Sequence, residues 1–180
     1  MNDADIESPS RNLSLHLRPQ TVSKRLTNIC AFCMMPNHFH LLLYECTPGG
    51  ISKLLQRLGT AFTMYFNEKY ERSGALFQGG FKSRLIEDEV YLMQVIDYIH
   101  LNPIQHKEMD GSKKGLFKSD LQFLDDYPWS SYKDYCGEET YSNILQRDVL
   151  NEYLEMPKDY KAWLQGQHDF EDIRSLAIDM

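Results

Sequence analysis

Long apolar runs are missing from this chain: no stretch approaches the roughly 20 consecutive apolar residues of a membrane-spanning helix, so no membrane partner is expected. Met1–Pro9 is acidic and polar, unlike a signal peptide, and a cytoplasmic location is expected. Cysteine is scarce, with 4 in 180 residues, too few to staple a disulfide scaffold. With 10 glycines and 7 prolines, 42% hydrophobic and 25% charged residues, the composition excludes collagen, coiled coil and wholesale disorder. There is no internal repeat and no low-complexity tract. Basic residues are outnumbered 19 to 26, and a net charge of −7 argues, as an average, against a nucleic-acid partner.

The average hides a segregation. Residues 51–84 hold 6 basic side chains (Lys53, Arg57, Lys69, Arg72, Lys82, Arg84) against 2 acidic ones, whereas residues 120–180 hold 5 basic against 14 acidic. Exposed charges reach only about 8 Å at physiological salt, so a local basic patch survives an acidic remainder.

What is present fits one domain with a core. Asn28–Met35 and His38–Cys46 read as strands joined by a Pro36-Asn37 turn, which predicts a hairpin. Leu13–Leu17 gives a weak strand signal within a polar stretch, 1–27. Apolar residues from Ile51 to Phe66 recur at helical spacing, predicting a helix from about Ile51 to Lys69, with Gly59 marking close packing. Residues 75–86 read as an extended segment bent at Gly79-Gly80. Asp88 is placed to cap a helix whose core stripe is Leu92, Val95, Ile96 and Ile99, and Pro103 is expected to end it. A Lys- and Gly-bearing linker, 104–119, follows, then DDYPWSSYKDY, then weak, acidic helical segments.

Three features invite chemistry. Cys30 and Cys33 form a C-x-x-C, but residues three apart on a strand face opposite ways, which favours two buried, reduced thiols over a zinc or redox pair. His38 and His40 share a face of their strand about 6.5–7 Å apart, so both imidazoles can converge on one divalent metal while Phe39 turns into the core; two ordinary surface histidines would give the same pattern. On a wheel of about 100° per residue, Tyr98 and Asn102 fall on one stripe beside the core face, with His100 on another side. That stripe suits a phenolic oxygen and an amide ligand meeting the His pair, or plain packing at a core rim.

Four stretches then fall in order: CMMPNHFHLLL, TAFTMYFNEKYERSGALFQGGFKS, YLMQVIDYIHLNP and DYPWSSY. Together they resemble the single-tyrosine HUH transposases of bacterial insertion sequences, nearest to the branch of REP-associated tyrosine transposases. The resemblance implies an α+β fold, an antiparallel sheet with helices packed on one side, of the ferredoxin-like HUH nuclease type. Only 27 residues precede the first strong strand, leaving little room for the strand and helix that usually open such a domain. It implies a transposase domain at 28–135, between a polar N-terminal segment, 1–27, and an acidic C-terminal extension, 136–180.

The implied activity is metal-dependent cleavage and rejoining of single-stranded or hairpin DNA. Tyr98 matches the nucleophile that forms a 5′-phosphotyrosine link. His38, His40 and Asn102 match the ligands of Mg²⁺, or Mn²⁺ in its place. The resemblance also implies a homodimer associated with the nucleoid. Within the basic segment, Lys82 and Arg84, with Arg57, Lys53 and Gln78, are the candidate DNA contacts, because basic groups beside aromatic faces such as Phe77 and Phe81 suit single strands. The alternative is a degenerate or domesticated copy that binds hairpin DNA without cutting it.

Overall fold

A computed structural model describes residues 25–107 and 118–167. Strand β1 (Thr27–Met34) pairs antiparallel with β2 (Phe39–Glu45), and Cys33 lies opposite His40 in the register. Cys30, Ala31, Phe32 and Cys33 are all buried, so both faces of β1 are covered, as its nearly continuous apolar sequence suggests. The register shifts between Ile29 and Ala31, a bulge that leaves Cys30 without a partner in the ladder.

Helix α1 (Gly50–Lys69) follows a reversal at Thr47-Pro48-Gly49, where Gly49 takes a left-handed φ of 71°. Gly50 is a packing requirement: a Cβ there would lie 2.2 Å from the carbonyl oxygen of Leu26. The Glu45 carboxylate accepts the Ile51 N–H at 3.2 Å, placing an acid at the positive end of the helix. Gly59 differs from its expected role. A Cβ there would meet Phe77 at 3.8 Å, an ordinary contact, so close packing does not demand glycine.

Helix α2 (Glu89–Lys107) opens on the expected cap, with the Tyr91 N–H donated to Asp88 Oδ1 at 2.8 Å. It does not end at Pro103, which lies inside it. Proline removes one N–H and crowds the carbonyl four residues back, but Leu101 and Ile104 on either side are buried, and their packing holds the helix through that defect. The first residues of the expected linker are therefore helical; positions 108–117 lie outside the described residues, as does Leu13–Leu17.

Residues 75–86 form no ladder; the segment is irregular rather than an edge strand. Helix α3 (Lys118–Asp126), the short α4 (Tyr132–Tyr135), a 3-10 helix (Arg147–Glu152) and α5 (Tyr160–Gln167) complete the described chain.

The free edge of β1 is occupied by this C-terminal part. Met34 donates its N–H to Trp129 O (2.8 Å), Ser131 to Phe32 O (3.0 Å) and Gln146 to Ile29 O (2.9 Å). The tyrosines of the DDYPWSSYKDY stretch add hydroxyl bonds, Tyr127 to Met34 O at 2.6 Å and Tyr135 to Cys30 O at 2.8 Å. Leu150, Tyr160 and Leu164, from the stretch expected to be an acidic extension, belong to the same hydrophobic core as β1 and α2. Among the described residues the architecture is α+β, a two-stranded antiparallel sheet with helices around it. No helix among the described residues is long and apolar enough to cross a membrane.

Candidate active site

His38 sits just before β2, at the end of the Pro36-Asn37 turn. Its carbonyl accepts the Met35 N–H at 2.8 Å, and its Nδ1 lies 2.7 Å from Asn37 Oδ1. His40 is the second residue of β2, on the same side. The two Nε2 atoms are 3.1 Å apart, and the rings stand nearly perpendicular at a centroid distance of 4.9 Å.

Helix α2 brings Tyr98 to this pair: its ring lies 5.3 Å from the His40 ring, edge-on, and it is only 8% exposed. Asn102, one turn later, donates its amide N–H to Tyr98 O at 3.0 Å, which leaves the amide oxygen as the side chain's acceptor. Burial first, and then the neighbouring His38, lower the pKa of His40 to about 4, against a hydrogen bond with Asn102 that raises it. The ring is therefore neutral at pH 7, the form that can ligate a metal.

The donor set is two imidazoles and one amide oxygen; among the described residues no three His, Cys, Asp or Glu side chains cluster to hold a metal. The 3.1 Å between the nitrogens fits a shared ion, because two bonds of about 2.1 Å at a right angle put their donors roughly 3 Å apart. Three neutral donors leave positions open for oxygen ligands, which suits catalysis better than a closed structural site.

A cavity of about 590 Å³ opens beside His40 and Tyr98, between β2, α1, the 81–89 segment and α2. Lys82 and Arg84 lie on its wall, with the Arg84 guanidinium over the Tyr91 ring at 4.6 Å. Phe81 also lines it and is 47% exposed, while Glu87, Asp88 and Glu89 put negative charge at one end. Lys53, Arg57 and Gln78 are exposed but are not on this wall. Phe77 packs between Phe39 and Phe62, with centroids 6.4 and 6.2 Å away.

Cys30 and Cys33 are both fully buried, and desolvation raises their thiols to about 11 and about 12, as inert core thiols rather than a metal or redox pair. His100 lies on another side of α2 from Tyr98, as the wheel placed it, yet it is wholly buried and its pKa is lowered to about 3, chiefly by desolvation. It and the buried Asp97 bond to the C-terminal segment. The wheel set His100 apart from the core stripe and gave neither residue a role, although an Asp and a His in an otherwise apolar stretch were a visible signal.

Residues 14–102 match the family described as transposase IS200-like, a span ending on Asn102. A protein of Haemophilus influenzae assigned as a REP-associated tyrosine transposase is 30% identical over 122 residues, which is 62% of this chain and 62% of that protein's length. No solved structure matches the chain. Over residues 14–102 this chain is thus similar to the IS200-like transposase family.

Proposed function

We propose that the protein cleaves and rejoins single-stranded DNA through a 5′-phosphotyrosine link on Tyr98. The observation that supports this best is the meeting of Tyr98 with two histidines whose Nε2 atoms are 3.1 Å apart. His38, His40 and Asn102 would hold a divalent ion, Mg²⁺ or Mn²⁺, whose chemistry is to neutralise the scissile phosphate and orient it for in-line attack.

The phenol of Tyr98 gives up its proton to solvent as its oxygen bonds to phosphorus. The bond from phosphorus to the 3′ oxygen breaks, and that oxygen takes up a proton from solvent and leaves as a free hydroxyl. The reverse attack by a 3′-hydroxyl reseals a strand with no external energy source, because the phosphotyrosine ester conserves the bond. Burial of Tyr98 under His40 limits water access to that ester. Lys82 and Arg84, on the same cavity wall, would contact the strand's backbone, and the exposed ring of Phe81 offers a stacking surface. The similarity to a REP-associated tyrosine transposase supports hairpin-bearing DNA as the substrate.

The test is incubation with Mn²⁺ and labelled single-stranded DNA carrying the hairpin from the gene's own flank. A covalent adduct on a denaturing gel, absent in Tyr98→Phe, is expected. Cleavage without any adduct would point to water as nucleophile and sink the proposal. Retarded DNA with no cleavage would support the degenerate, binding-only copy instead.

A further inference from the structure

Asp97 and His100 flank Tyr98 on α2, and both are buried, at 1% and 0% exposure. The Tyr160 hydroxyl donates to Asp97 Oδ1 at 2.8 Å and lies 2.9 Å from His100 Nδ1. Having given its one proton to the carboxylate, the Tyr160 oxygen can only accept, so His100 Nδ1 carries a hydrogen. Nε2 of the neutral ring is then an acceptor, 2.8 Å from Ser131 Oγ, which in turn accepts the Phe32 N–H at 2.9 Å. The alternative acceptor for the Ser131 proton, Phe32 O, is farther at 3.2 Å. Trp163 Nε1 donates to the other Asp97 oxygen at 3.1 Å.

The bonds therefore run in one direction along a single chain: Phe32 N–H to Ser131, Ser131 to His100, His100 to Tyr160, Tyr160 to Asp97. Its first member belongs to β1, where the next residue, Cys33, is paired with His40. Its last two on α2 stand on either side of Tyr98. The link between strand and helix passes through Ser131, and Tyr160 ties the two α2 residues to α5; both come from the C-terminal part.

We propose that this buried chain is a positioning device that fixes the rotation and height of α2 against the hairpin, and so sets Tyr98 against the His38–His40 pair; His100 and Tyr160 are positioning residues supplied jointly by α2 and the C-terminal segment. This rests on the reading of Tyr98 as nucleophile for its catalytic consequence, but not for its geometric one. Helix caps and apolar contacts allow small rotations of a helix in its seat, whereas a directed chain of hydrogen bonds in a dry interior tolerates little. A small misplacement at a reacting atom can cost on the order of 100-fold in rate.

The test uses the full chain and Tyr160→Phe, which deletes one oxygen at nearly constant volume. Three quantities are measured well below the melting temperature: the rate of adduct formation at saturating DNA and Mn²⁺, the dissociation constant for DNA, and the nuclear Overhauser contact between the His40 and Tyr98 rings. The expected result is a rate at least tenfold lower, DNA affinity within twofold, and a weakened ring contact. An unchanged rate with an unchanged ring contact would overturn the proposal. So would a rate that merely tracks the fraction of folded protein. If Tyr160→Phe fails to fold, Trp163→Phe, which removes one outer donor, is read by the same three measurements, with a smaller effect of two- to fivefold. If the parent protein forms no adduct at all, the catalytic reading fails, and the ring contact alone decides whether the chain positions Tyr98.

Discussion

Deleting everything after Tyr135 tests how far the C-terminal part is structural. The fragment 1–135 keeps β1, β2, α1, α2 and all four residues around the candidate site. It loses Leu145, Leu150, Tyr160 and Leu164, whose exposures in the intact chain are 6%, 4%, 1% and 0%. Burying a large apolar side chain is worth about 1.5–3 kcal/mol, so four of them come to roughly 8 kcal/mol, an upper figure because unfolded chains are already partly compact. Whole domains are stable by only about 5–15 kcal/mol. The deletion also removes the Gln146 N–H that caps Ile29 O and the Tyr160 and Trp163 donors to Asp97. The fragment is therefore expected to lack a cooperative unfolding transition. Circular dichroism on heating and in urea, beside an amide correlation spectrum, would show it. Leu164→Ala in the full chain supplies a graded control, expected to cost about 2–5 kcal/mol. A fragment 1–135 that melts cooperatively within a few degrees of the full chain would refute the reasoning.

Gly50→Ala places a methyl against the Leu26 carbonyl and is expected to destabilise by about 1–3 kcal/mol in urea melts, whereas Gly59→Ala, with ordinary contacts only, is expected to gain up to about 1 kcal/mol. Cys30 and Cys33 resist alkylation in the native state at pH 8 while Cys46 and Cys136, each partly exposed, react; mass spectrometry after iodoacetamide distinguishes them. Because Cys30 and Cys33 are held protonated up to about 11 and about 12, the unfolded chain loses these protons first as pH rises above 9.0; stability is intact below that and falls by roughly 1 kcal/mol per thiol by pH 10, readable in urea midpoints. Lys82→Ala and Arg84→Ala each weaken single-strand binding and lower the slope of log affinity against log salt by about 0.7, while Lys53→Ala, off the cavity wall, has a smaller effect; a slope unchanged in Lys82→Ala and Arg84→Ala would remove them from the interface.

The hairpin, α1, the Asp88 cap and the core stripe of α2 were legible because each is written locally, in a period, a turn dipeptide or a capping side chain. The meeting of His38 and His40 was legible for the same reason, from their spacing on one face. What escaped has the opposite character. Pro103 reads as a helix end by backbone sterics, and only the burial of Leu101 and Ile104 overrides that. Residues 75–86 read as an extended segment bent at Gly79-Gly80, and they find no ladder partner among the described residues. The weak helical signals after Glu138 gave no hint that Leu150, Tyr160 and Leu164 reach back across the chain to β1 and α2. Such contacts depend on tertiary placement, which no local pattern encodes.

The acidity of the C-terminal third takes on a different meaning once its packing is known. A segment with 14 acidic and 5 basic side chains looks like a solvated tail that would repel DNA. Yet some of its carboxylates are engaged within the fold: Asp125 pairs with Lys161 at 2.6 Å, and Asp134 accepts the Tyr141 N–H at 2.8 Å. Its apolar residues reach the core, and its backbone closes the edge of β1, where unpaired groups would otherwise invite aggregation. β1 is thus covered by an acidic segment on one edge and by β2 on the other. Lys82 and Arg84 stand on the cavity wall shared with His40 and Tyr98. That wall also carries Glu45, Glu87, Asp88 and Glu89, so a polyanion is drawn to the two basic groups and not to the wall as a whole. A net charge of −7 is therefore compatible with a DNA partner where the strand reaches Lys82 and Arg84 and stays clear of those carboxylates.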